Sequence, residues 1–332
     1  MNLSAMIAVL LQARPAEAAT CGACHRAQFH AYERNTMSRA LYRAADAEPL
    51  REYPKLTFRL GRFNYLIERR NYTVTDGESK FSAPLLYAFG QGAAGQTYVF
   101  RHEGRWYESR ISFYSKTKSL DLTMGAPPGE PKTLLQAAGR EMTPNDVVAC
   151  FACHTTNSIQ GGAVDFERLQ AGVGCENCHG PAAKHAQAFK TGNVKEVVLP
   201  KLARLSTEEQ SDLCGRCHRT WGDIASNGPR GIGNVRFQPY RIANSKCYDA
   251  ADRRIACTAC HDAHQALEHD LTAYDRNCLA CHAKGQKAKI CSKQAASGCV
   301  SCHMPRYEIP GSHHLFTDHQ IRIVRPNEAY PN

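Results

Sequence analysis

The sequence lacks a hydrophobic run long enough to cross a membrane. The apolar run at residues 5–11 is about 7 residues long, whereas a membrane-spanning helix needs about 20. No basic residue precedes this run, so the positively charged start of a typical secretory signal is also missing. Ala16-Glu17-Ala18 nevertheless has the small residues of a signal-peptide cleavage site, and we therefore expect residues 1–18 to be a signal peptide rather than a membrane anchor.

Acidic residues are scarce relative to basic ones. The chain has 31 Asp and Glu residues against 41 Lys and Arg residues, which gives a net charge of +10 with neutral histidine. This balance, taken alone, is compatible with nucleic acid or an anionic membrane surface as a partner. A hydrophobic content of 43% in 332 residues excludes a disordered chain and is enough for one or two domains with a buried core.

Cysteine and histidine, by contrast, are abundant, with 16 and 15 residues. So many cysteines are untypical of a reduced cytosolic enzyme and of a coiled coil, and they indicate metal or cofactor chemistry. Fourteen of them lie in seven copies of one pattern, in which two cysteines are separated by two residues and followed at once by histidine. Numbered 1 to 7 in chain order, the motifs are Cys21-Gly-Ala-Cys24-His25, Cys150-Phe-Ala-Cys153-His154, Cys175-Glu-Asn-Cys178-His179, Cys214-Gly-Arg-Cys217-His218, Cys257-Thr-Ala-Cys260-His261, Cys278-Leu-Ala-Cys281-His282 and Cys299-Val-Ser-Cys302-His303.

This C-x-x-C-H pattern is the attachment signal of c-type haem. Its two thiols, one helical turn apart, form thioether bonds to the porphyrin, and the adjacent imidazole ligates the iron. A zinc ribbon needs no histidine after the second cysteine, and a disulfide scaffold would not repeat the histidine at one offset. The sequence therefore predicts seven covalently attached haem c groups, with iron bound by the seven motif histidines.

The motifs are distributed unevenly, with one near the N-terminus and six between Cys150 and His303. We predict an N-terminal region at residues 19–140 with one haem and a small antiparallel β-sheet, and a haem-dense domain at residues 141–332 with six haems. About 26 residues for each haem are too few to build a separate protein core. The predicted fold class is therefore a multihaem cytochrome c, mainly short α-helices and long loops packed around haems, with a small antiparallel β-region in the N-terminal half.

Local patterns add detail to this division. Aromatic and β-branched residues predict strands at residues 56–60, 63–67, 71–74, 97–101, 106–107 and 111–114. Asp76-Gly77 and Glu103-Gly104 are typical hairpin turns between such strands. Apolar spacing predicts a helix over residues 28–45, and Ser206 with Glu209 predicts a capping box at the start of the helix that carries motif 4.

The second axial ligand of each iron decides what the haem can do. A haem iron with two protein ligands transfers electrons, whereas one with an open face can bind and convert small molecules. Eight histidines lie outside the motifs: His30, His102, His185, His264, His269, His313, His314 and His319. A histidine a few residues after a motif cannot reach the far face of the same porphyrin, so such a ligand must serve a neighbouring haem. We predict His185, His264 and His319 as distal ligands, with Asp318 orienting the His319 ring.

The sequence decides less about the other candidate ligands. One of His313 and His314 is expected to bind iron, and we favour His314. His102 is expected to be solvent-exposed, whereas His30 and His269 could be either ligands or surface residues. Met37 is a candidate axial sulfur ligand, which would raise the potential of its haem, with a core position as the alternative. Cys247 and Cys291 lie outside the motifs and are predicted to form a disulfide in an oxidising compartment.

The run from Gly172 to His185, the segment from Cys257 to His264, and the ending Cys299 to Pro305 with Phe316-Thr-Asp-His319 resemble the multihaem cytochromes c with doubled C-x-x-C-H motifs. That group includes the tetrahaem electron carrier of ammonia oxidisers, and the resemblance covers about residues 145–320. It implies that His185 and His264 are distal ligands. Ala263 and Ala182 depart from the proline and glycine usual in the family, but both leave the ligands in place.

We therefore expect an exported protein, periplasmic or extracellular, that carries electrons between redox partner proteins and associates with a membrane-bound electron-transfer complex. One alternative is a reductase or oxidase of small nitrogen or sulfur compounds at a five-coordinate haem, although the C-x-x-C-K motif of pentahaem nitrite reductases is missing. A second alternative is a subunit of an extracellular cytochrome filament. We favour the electron carrier over the enzyme.

Seven haems also change the interpretation of the charge. Each haem with ionised propionates adds about −1 when ferric and about −2 when ferrous, which brings the protein to roughly +3 or −4. We therefore expect no nucleic-acid partner.

Overall fold

The computed structural model describes residues 18–193, 199–283 and 297–331. Its largest element is a nine-stranded antiparallel sheet in the N-terminal half, in which β2 to β8 follow one another in chain order while β1 pairs with β5 and β9 with β7. The strands are β1 Leu41–Arg43, β2 Lys55–Leu60, β3 Phe63–Glu68, β4 Asn71–Thr75, β5 Lys80–Gly92, β6 Gly95–His102, β7 Arg105–Tyr114, β8 Ser119–Leu122 and β9 Gly139–Glu141.

The hairpin turns predicted from the sequence are confirmed. Asp76 Oδ1 accepts hydrogen bonds from the backbone amides of Glu78 and Ser79 at 3.1 and 2.9 Å, which closes the turn between β4 and β5. Between β6 and β7, Glu103 and Gly104 have φ values of 48° and 80°, the left-handed pair that a tight two-residue hairpin requires.

The sheet is larger than predicted, so the expectation of a small β-region is wrong. Its longest strand, β5, contains Ser, Ala, Pro and Gly residues that give no alternating pattern, and it forms because β1, β4 and β6 all pair with it. The predicted helix over residues 28–45 is also wrong in extent. The helix ends at Tyr32, and Leu41–Arg43 becomes a strand because its backbone pairs with residues 87–89 of β5.

Aromatic side chains fill the interior of this sheet. Phe63, Tyr65, Tyr72, Tyr98 and Phe100 are each at most 1% exposed. The sheet curls until β2 approaches β8, so these rings pack among themselves and against Leu50 of α3 (Glu48–Glu52) and Ala137 and Ala138 of α4 (Leu134–Ala138).

Short helices dominate the rest of the chain. The α-helices are α1 Ala18–Gly22, α2 Arg26–Tyr32, α3 Glu48–Glu52, α4 Leu134–Ala138, α5 Pro144–His154, α6 Cys175–His179, α7 Ala183–Lys190, α8 Thr207–His218, α9 Trp221–Asn227, α10 Gln238–Ala243, α11 Cys257–Cys260, α12 Asp275–His282 and α13 Cys299–His303. Short 3-10 helices lie at Met37–Arg39, Leu202–Arg204, Gly231–Asn234, Arg253–Ile255 and Leu271–Tyr274. Three pairs of short antiparallel strands complete this part of the chain: β10 Thr155–Thr156 with β13 Gln170–Ala171, β11 Ile159–Gln160 with β12 Ala163–Val164, and β14 Arg306–Glu308 with β15 Leu315–Thr317.

One helix connects the sheet to the motif-rich part of the chain. Phe151 of α5 is fully buried, and its ring lies 5.2 Å from the rings of Tyr87 and Phe89 and 6.0 Å from that of Trp106. These contacts fix motif 2, at the end of α5, against the outer face of the sheet.

Candidate haem-binding site

Each motif is carried by a helical turn. Motif 1 begins in α1 and continues into the turn before α2. Motifs 2, 4 and 6 lie at the C-terminal ends of α5, α8 and α12, respectively. Motif 3 forms α6, motif 7 forms α13, and motif 5 begins α11. In motifs 1 and 5 the backbone amide of the histidine donates to the carbonyl of the first cysteine at 2.8 and 2.9 Å. A single helical turn therefore places both thiols and the imidazole on one side of the backbone, as haem attachment requires.

Local sequence explains where two of these helices begin. Ser206 caps α8 as predicted: its hydroxyl accepts from the Glu209 amide at 3.2 Å, and the Glu209 carboxylate accepts from the Ser206 amide at 2.7 Å. Thr143 and Asp146 form an equivalent capping box at the start of α5. Each box starts its helix about two turns before the motif at the helix end.

The motif thiols are available for attachment. All fourteen are free and none is fully buried, since each is half-buried or exposed. Partly exposed thiols, together with a histidine at the end of the same turn, fit covalent haem, whereas closed tetrahedral metal sites bury their ligands together. No cluster of side chains suited to hold a bare metal ion occurs among the described residues.

Three motif histidines each face a histidine from outside the motifs. The ring centres of His25 and His185 are 6.4 Å apart, and those of His179 and His264 are 6.2 Å apart, with ring planes inclined by 20° and 11°. The rings of His261 and His319 also lie 6.2 Å apart, at 41°.

This spacing fits a shared iron. A metal–imidazole bond is about 2.0 Å long, so two imidazoles on opposite sides of one metal have ring centres roughly 6 Å apart. The three non-motif histidines are His185, His264 and His319, the same three that the sequence predicts as distal ligands. Each faces a motif histidine other than the one that it follows most closely along the chain, as cross-ligation requires.

Burial keeps three of these rings in the protonation state that a metal ligand needs. It lowers the pKa of His319 to about 4, and the neighbouring His261 acts in the same direction. Burial also lowers the pKa of His179 and of His261. The imidazoles of His179, His261 and His319 are therefore neutral near pH 7, and each retains a lone pair for iron.

Backbone carbonyls orient two further motif histidines. The Nδ1 of His154 donates to the Ala40 carbonyl at 2.8 Å, and the Nδ1 of His303 donates to the Arg322 carbonyl at 2.8 Å. Such a bond fixes the tautomer and leaves Nε2 free to bind a metal. In motif 4, the side chain of Gln238 hydrogen-bonds to His218.

The prediction that Asp318 orients the His319 ring is wrong. Nδ1 of His319 donates instead to the Thr317 carbonyl at 3.0 Å. Asp318 is fully buried. Its carboxylate accepts hydrogen bonds from the guanidinium groups of Arg241, at 2.8 and 3.0 Å, and of Arg322, at 2.7 Å. This ion network holds the backbone on which His319 is carried.

Asn35 is a site residue that the sequence analysis missed. It is 3% exposed, and its Nδ2 donates to the carbonyls of Ala263 and Gln265 at 2.7 and 2.8 Å. These carbonyls flank His264, so Asn35 holds the short segment that presents this histidine to His179. Nothing in the local sequence signals a contact between residues 228 positions apart.

The remaining candidate ligands lie in varied surroundings. His313 Nε2 contacts Asp121 at 2.7 Å, which ties His313 to the sheet, and the His314 ring packs at 4.7 Å from Phe316. His30 is exposed beside Glu33, and the His102 ring packs at 5.2 Å from Phe81 at the end of β6. Axial roles for His314 and Met37 stay predictions; Met37 is half-buried, and His185 is the side chain that faces His25.

Two predictions involve residues that the structure does not describe. Cys247 is exposed and free, but Cys291 lies outside the described residues, as does the predicted signal peptide apart from Ala18. Within the described part of the chain, no helix is both long and apolar enough to cross a membrane.

Comparisons with known proteins agree with this chemistry. Residues 108–180 match the family model of cytochrome c554 and c-prime, a stretch that contains motifs 2 and 3. The multiheme cytochrome MtrA of Shewanella baltica (strain OS185) is 30% identical over 203 residues, which are 56% of this chain and 52% of that protein. The chain thus spans about half the length of this curated relative.

A solved structure shows the same fold over most of the chain. The outer cell wall cytochrome OcwA superposes with a TM-score of 0.52 over 92% of this chain and 79% of its own, at 12% sequence identity. At this identity the likeness concerns the fold alone.

Proposed function

This chain is a multihaem c-type cytochrome, and from that premise we propose that it binds seven covalent haem c groups and transfers electrons between redox partner proteins. The observation that carries the proposal is the set of three histidine pairs at 6.2 to 6.4 Å, each joining a motif histidine to a distant one. An iron with two protein ligands cycles between ferric and ferrous states without an open position for a substrate.

The residues of the chain hold and insulate these groups. Motif cysteines would bind the porphyrin edges, motif histidines would bind the iron, and His185, His264 and His319 would each supply a second ligand in motifs 1, 3 and 5. Backbone carbonyls keep the Nδ1 protons of His154 and His303 in place, which leaves Nε2 free to bind a metal. The ion network around Asp318 and the clamp of Asn35 fix two of the distal ligands.

Export follows from the same chemistry. Thioether attachment takes place outside the bacterial cytoplasm, so the protein acts as a periplasmic or extracellular carrier. Its partners are redox proteins, including a membrane-bound electron-transfer complex.

The haem count is tested on protein purified from a host with a cytochrome c maturation system. The intact mass is expected to exceed that of the polypeptide by seven haems, and a coulometric titration is expected to take up seven electrons per molecule. A Cys257→Ser/Cys260→Ser double variant should lose one haem and one electron. A mass without haem, or bound zinc in its place, would overturn the proposal.

Cross-ligation is tested by a pair of single variants. His185→Ala should give the ferric protein a high-spin absorption component, because the iron at His25 loses its second ligand. His30→Ala is the matched control, since its exposed ring lies beside Glu33 and Phe29, and its spectrum should stay low-spin. A low-spin spectrum in His185→Ala would exclude His185 as the ligand.

A further inference from the structure

The spatial order of the motifs differs from their order along the chain. The sulfur of each motif cysteine is the atom that bonds to a porphyrin edge. Where thiols of two motifs lie close together, the edges of the two attached porphyrins therefore also lie close together. Motif-to-motif contacts therefore reveal which haems are neighbours. This inference rests on the proposed function and specifies the route by which electrons cross the molecule.

Motif 1 adjoins motif 3. The thiol of Cys21 is hydrogen-bonded to that of Cys175. The same neighbourhood is fixed by the backbone, where the Val173 amide donates to the Met37 carbonyl at 2.9 Å, and by His185, which follows motif 3 and faces His25. Motif 2, which lies between these two along the chain, has no part in this contact.

Motif 4 adjoins motifs 3 and 2 through one residue. Arg216, inside motif 4, donates from Nη2 to the Asn177 carbonyl inside motif 3 at 2.9 Å. Its own carbonyl lies 3.6 Å from the Cys153 thiol of motif 2, and Cys153 is hydrogen-bonded to Cys217. Cys178 of motif 3 also lies near both motif 4 thiols, Cys214 and Cys217. Motifs 2 and 3 meet as well, through Asn177 Nδ2 and the Thr155 carbonyl at 3.0 Å, but that contact lies beyond the motif 2 histidine and not at the thiols.

Motif 4 also adjoins motif 5. Cys214 is hydrogen-bonded to Cys257, so motif 4 uses one thiol toward motif 2 and the other toward motif 5. Gln210, one turn before motif 4 on α8, accepts from the Thr258 hydroxyl inside motif 5 at 2.7 Å. The two motifs are thus joined at their thiols and at their helices.

The series then continues to the C-terminus. The side chain of Asn277, directly before motif 6, hydrogen-bonds to Cys260 of motif 5. Cys278 of motif 6 is hydrogen-bonded to Cys299 of motif 7. The buried Asp275 at the start of α12 accepts from the Val300 amide of α13 at 3.3 Å, which fixes these two motifs side by side.

We propose that the seven attachment motifs form a branched series whose junction is motif 4: one arm runs to motifs 3 and 1, a second to motifs 5, 6 and 7, and a third to motif 2 alone. The series has three ends, at motifs 1, 2 and 7. The short arm ends where α5 packs on the sheet, so a partner docked on the sheet side exchanges electrons through motif 2 without using the long route from motif 1 to motif 7.

A structure of the haem-loaded protein tests the arrangement directly. The iron at His218 is expected to have three nearest-neighbour irons, those at His154, His179 and His261. The iron at His154 is expected to lie closest to the one at His218. An iron at His154 that lies closest to the one at His179 or His25, or an iron at His218 with two neighbours, would overturn the proposal.

Arg216→Gln tests the junction in solution without removing a ligand. Loss of its positive charge destabilises the reduced form of nearby haems, so the reduction potentials of three haems, those of motifs 2, 3 and 4, should fall. Haem-resolved NMR redox titration measures these shifts. Arg254→Gln is the matched control, because Arg254 is exposed, pairs with Asp252 and lies near motifs 5 and 6, so it should leave the potentials of motifs 2 and 3 unchanged.

The possible outcomes separate the junction from the proposed function. If Arg216→Gln leaves the reduction potentials of the haems of motifs 2 and 3 unchanged, the junction is contradicted, even when all seven haems take up electrons. Failure to bind or reduce seven haems contradicts the proposed function, whatever the spatial order of the motifs. Shifts at motifs 2, 3 and 4 together support the branch.

Discussion

At the scale of single residues, the histidines proposed as distal ligands depend on side chains that lie outside the proposed coordination. Asn35 is such a residue, because its two hydrogen bonds hold the backbone on either side of His264. In Asn35→Ala, the carbonyls of Ala263 and Gln265 lose their partner inside the protein, and we expect a destabilisation of about 1–3 kcal/mol. We also expect a high-spin component from the haem of motif 3.

Urea denaturation and ferric absorption spectra of the Asn35→Ala protein measure the two effects. Asn227→Ala, at an exposed position, serves as the control and should change neither quantity. A low-spin spectrum identical to that of the parent protein would show that His264 is held in place without Asn35.

Two Arg–Asp pairs in the chain differ in burial and therefore in their expected effect. Asp318 and Arg241 are both fully buried, so Asp318→Asn leaves a guanidinium without its anion and should destabilise the protein by about 3–5 kcal/mol. The same substitution should release the segment that carries His319 and produce a high-spin signal from motif 5. Thermal or urea unfolding with parallel spectra checks both results.

Asp252→Asn is the comparison for that prediction. Asp252 also forms a bidentate pair, with Arg254, but this pair is exposed to solvent. Solvent screens such a pair, so the unfolding midpoint should barely move. Equal effects of the two substitutions would mean that burial of Asp318 is not what makes its network important.

The facing pairs of histidines were easier to predict from the sequence than the side chains that support them. Motif histidines and the three facing histidines follow from spacing and from the reach of a side chain around a porphyrin. Asn35 and Arg241 do not, because each acts on a residue more than 70 positions away, and no local pattern encodes such a contact. Asp318 was assigned to its neighbour His319, but its carboxylate accepts instead from Arg241, 77 positions away, and from Arg322, four positions away.

At the scale of elements, α5 joins the motif-rich region to the sheet. Phe151 on this helix is fully buried among Tyr87, Phe89 and Trp106. Phe151→Ala removes this ring and leaves a cavity, so we expect a loss of about 3–5 kcal/mol in the free energy of unfolding. Ile323→Ala, at a side chain that is 76% exposed, should change it by less than about 0.5 kcal/mol.

The outcome of Phe151→Ala also reports on how the two parts fold. A single unfolding transition at lower urea concentration, seen equally by tyrosine fluorescence and haem absorption, is expected if α5 couples them. Two separated transitions in the parent protein would contradict that coupling.

Element boundaries were predictable where a local signal exists. Ser206 and Glu209 begin α8, and Asp76-Gly77 closes a hairpin, because capping and turn chemistry are encoded within four residues. The strand β5 and the strand at Leu41–Arg43 form through pairing with distant strands, which overrides weak local preference. The size of the sheet was therefore underestimated.

At the scale of the whole molecule, the proposed haems dominate the charge. The polypeptide carries +10, and seven haems with ionised propionates bring it to roughly +3 when oxidised and −4 when reduced. Native electrophoresis near pH 7 should therefore show migration toward the cathode for the oxidised protein and toward the anode after reduction. Unchanged mobility on reduction would contradict the proposed number of redox centres.

The two histidines of each pair are synthesised at different times, which sets the order in which the pairs can form. His25 is among the first residues of the described chain to be made, yet its facing residue, His185, comes 160 positions later, and His261 has its counterpart 58 positions ahead at His319. Contacts between such distant positions slow folding, because long loops must close before they form. Under the proposed coordination, the haem of motif 1 therefore keeps an open face until His185 is in place, and the haem of motif 5 keeps one until His319 is in place.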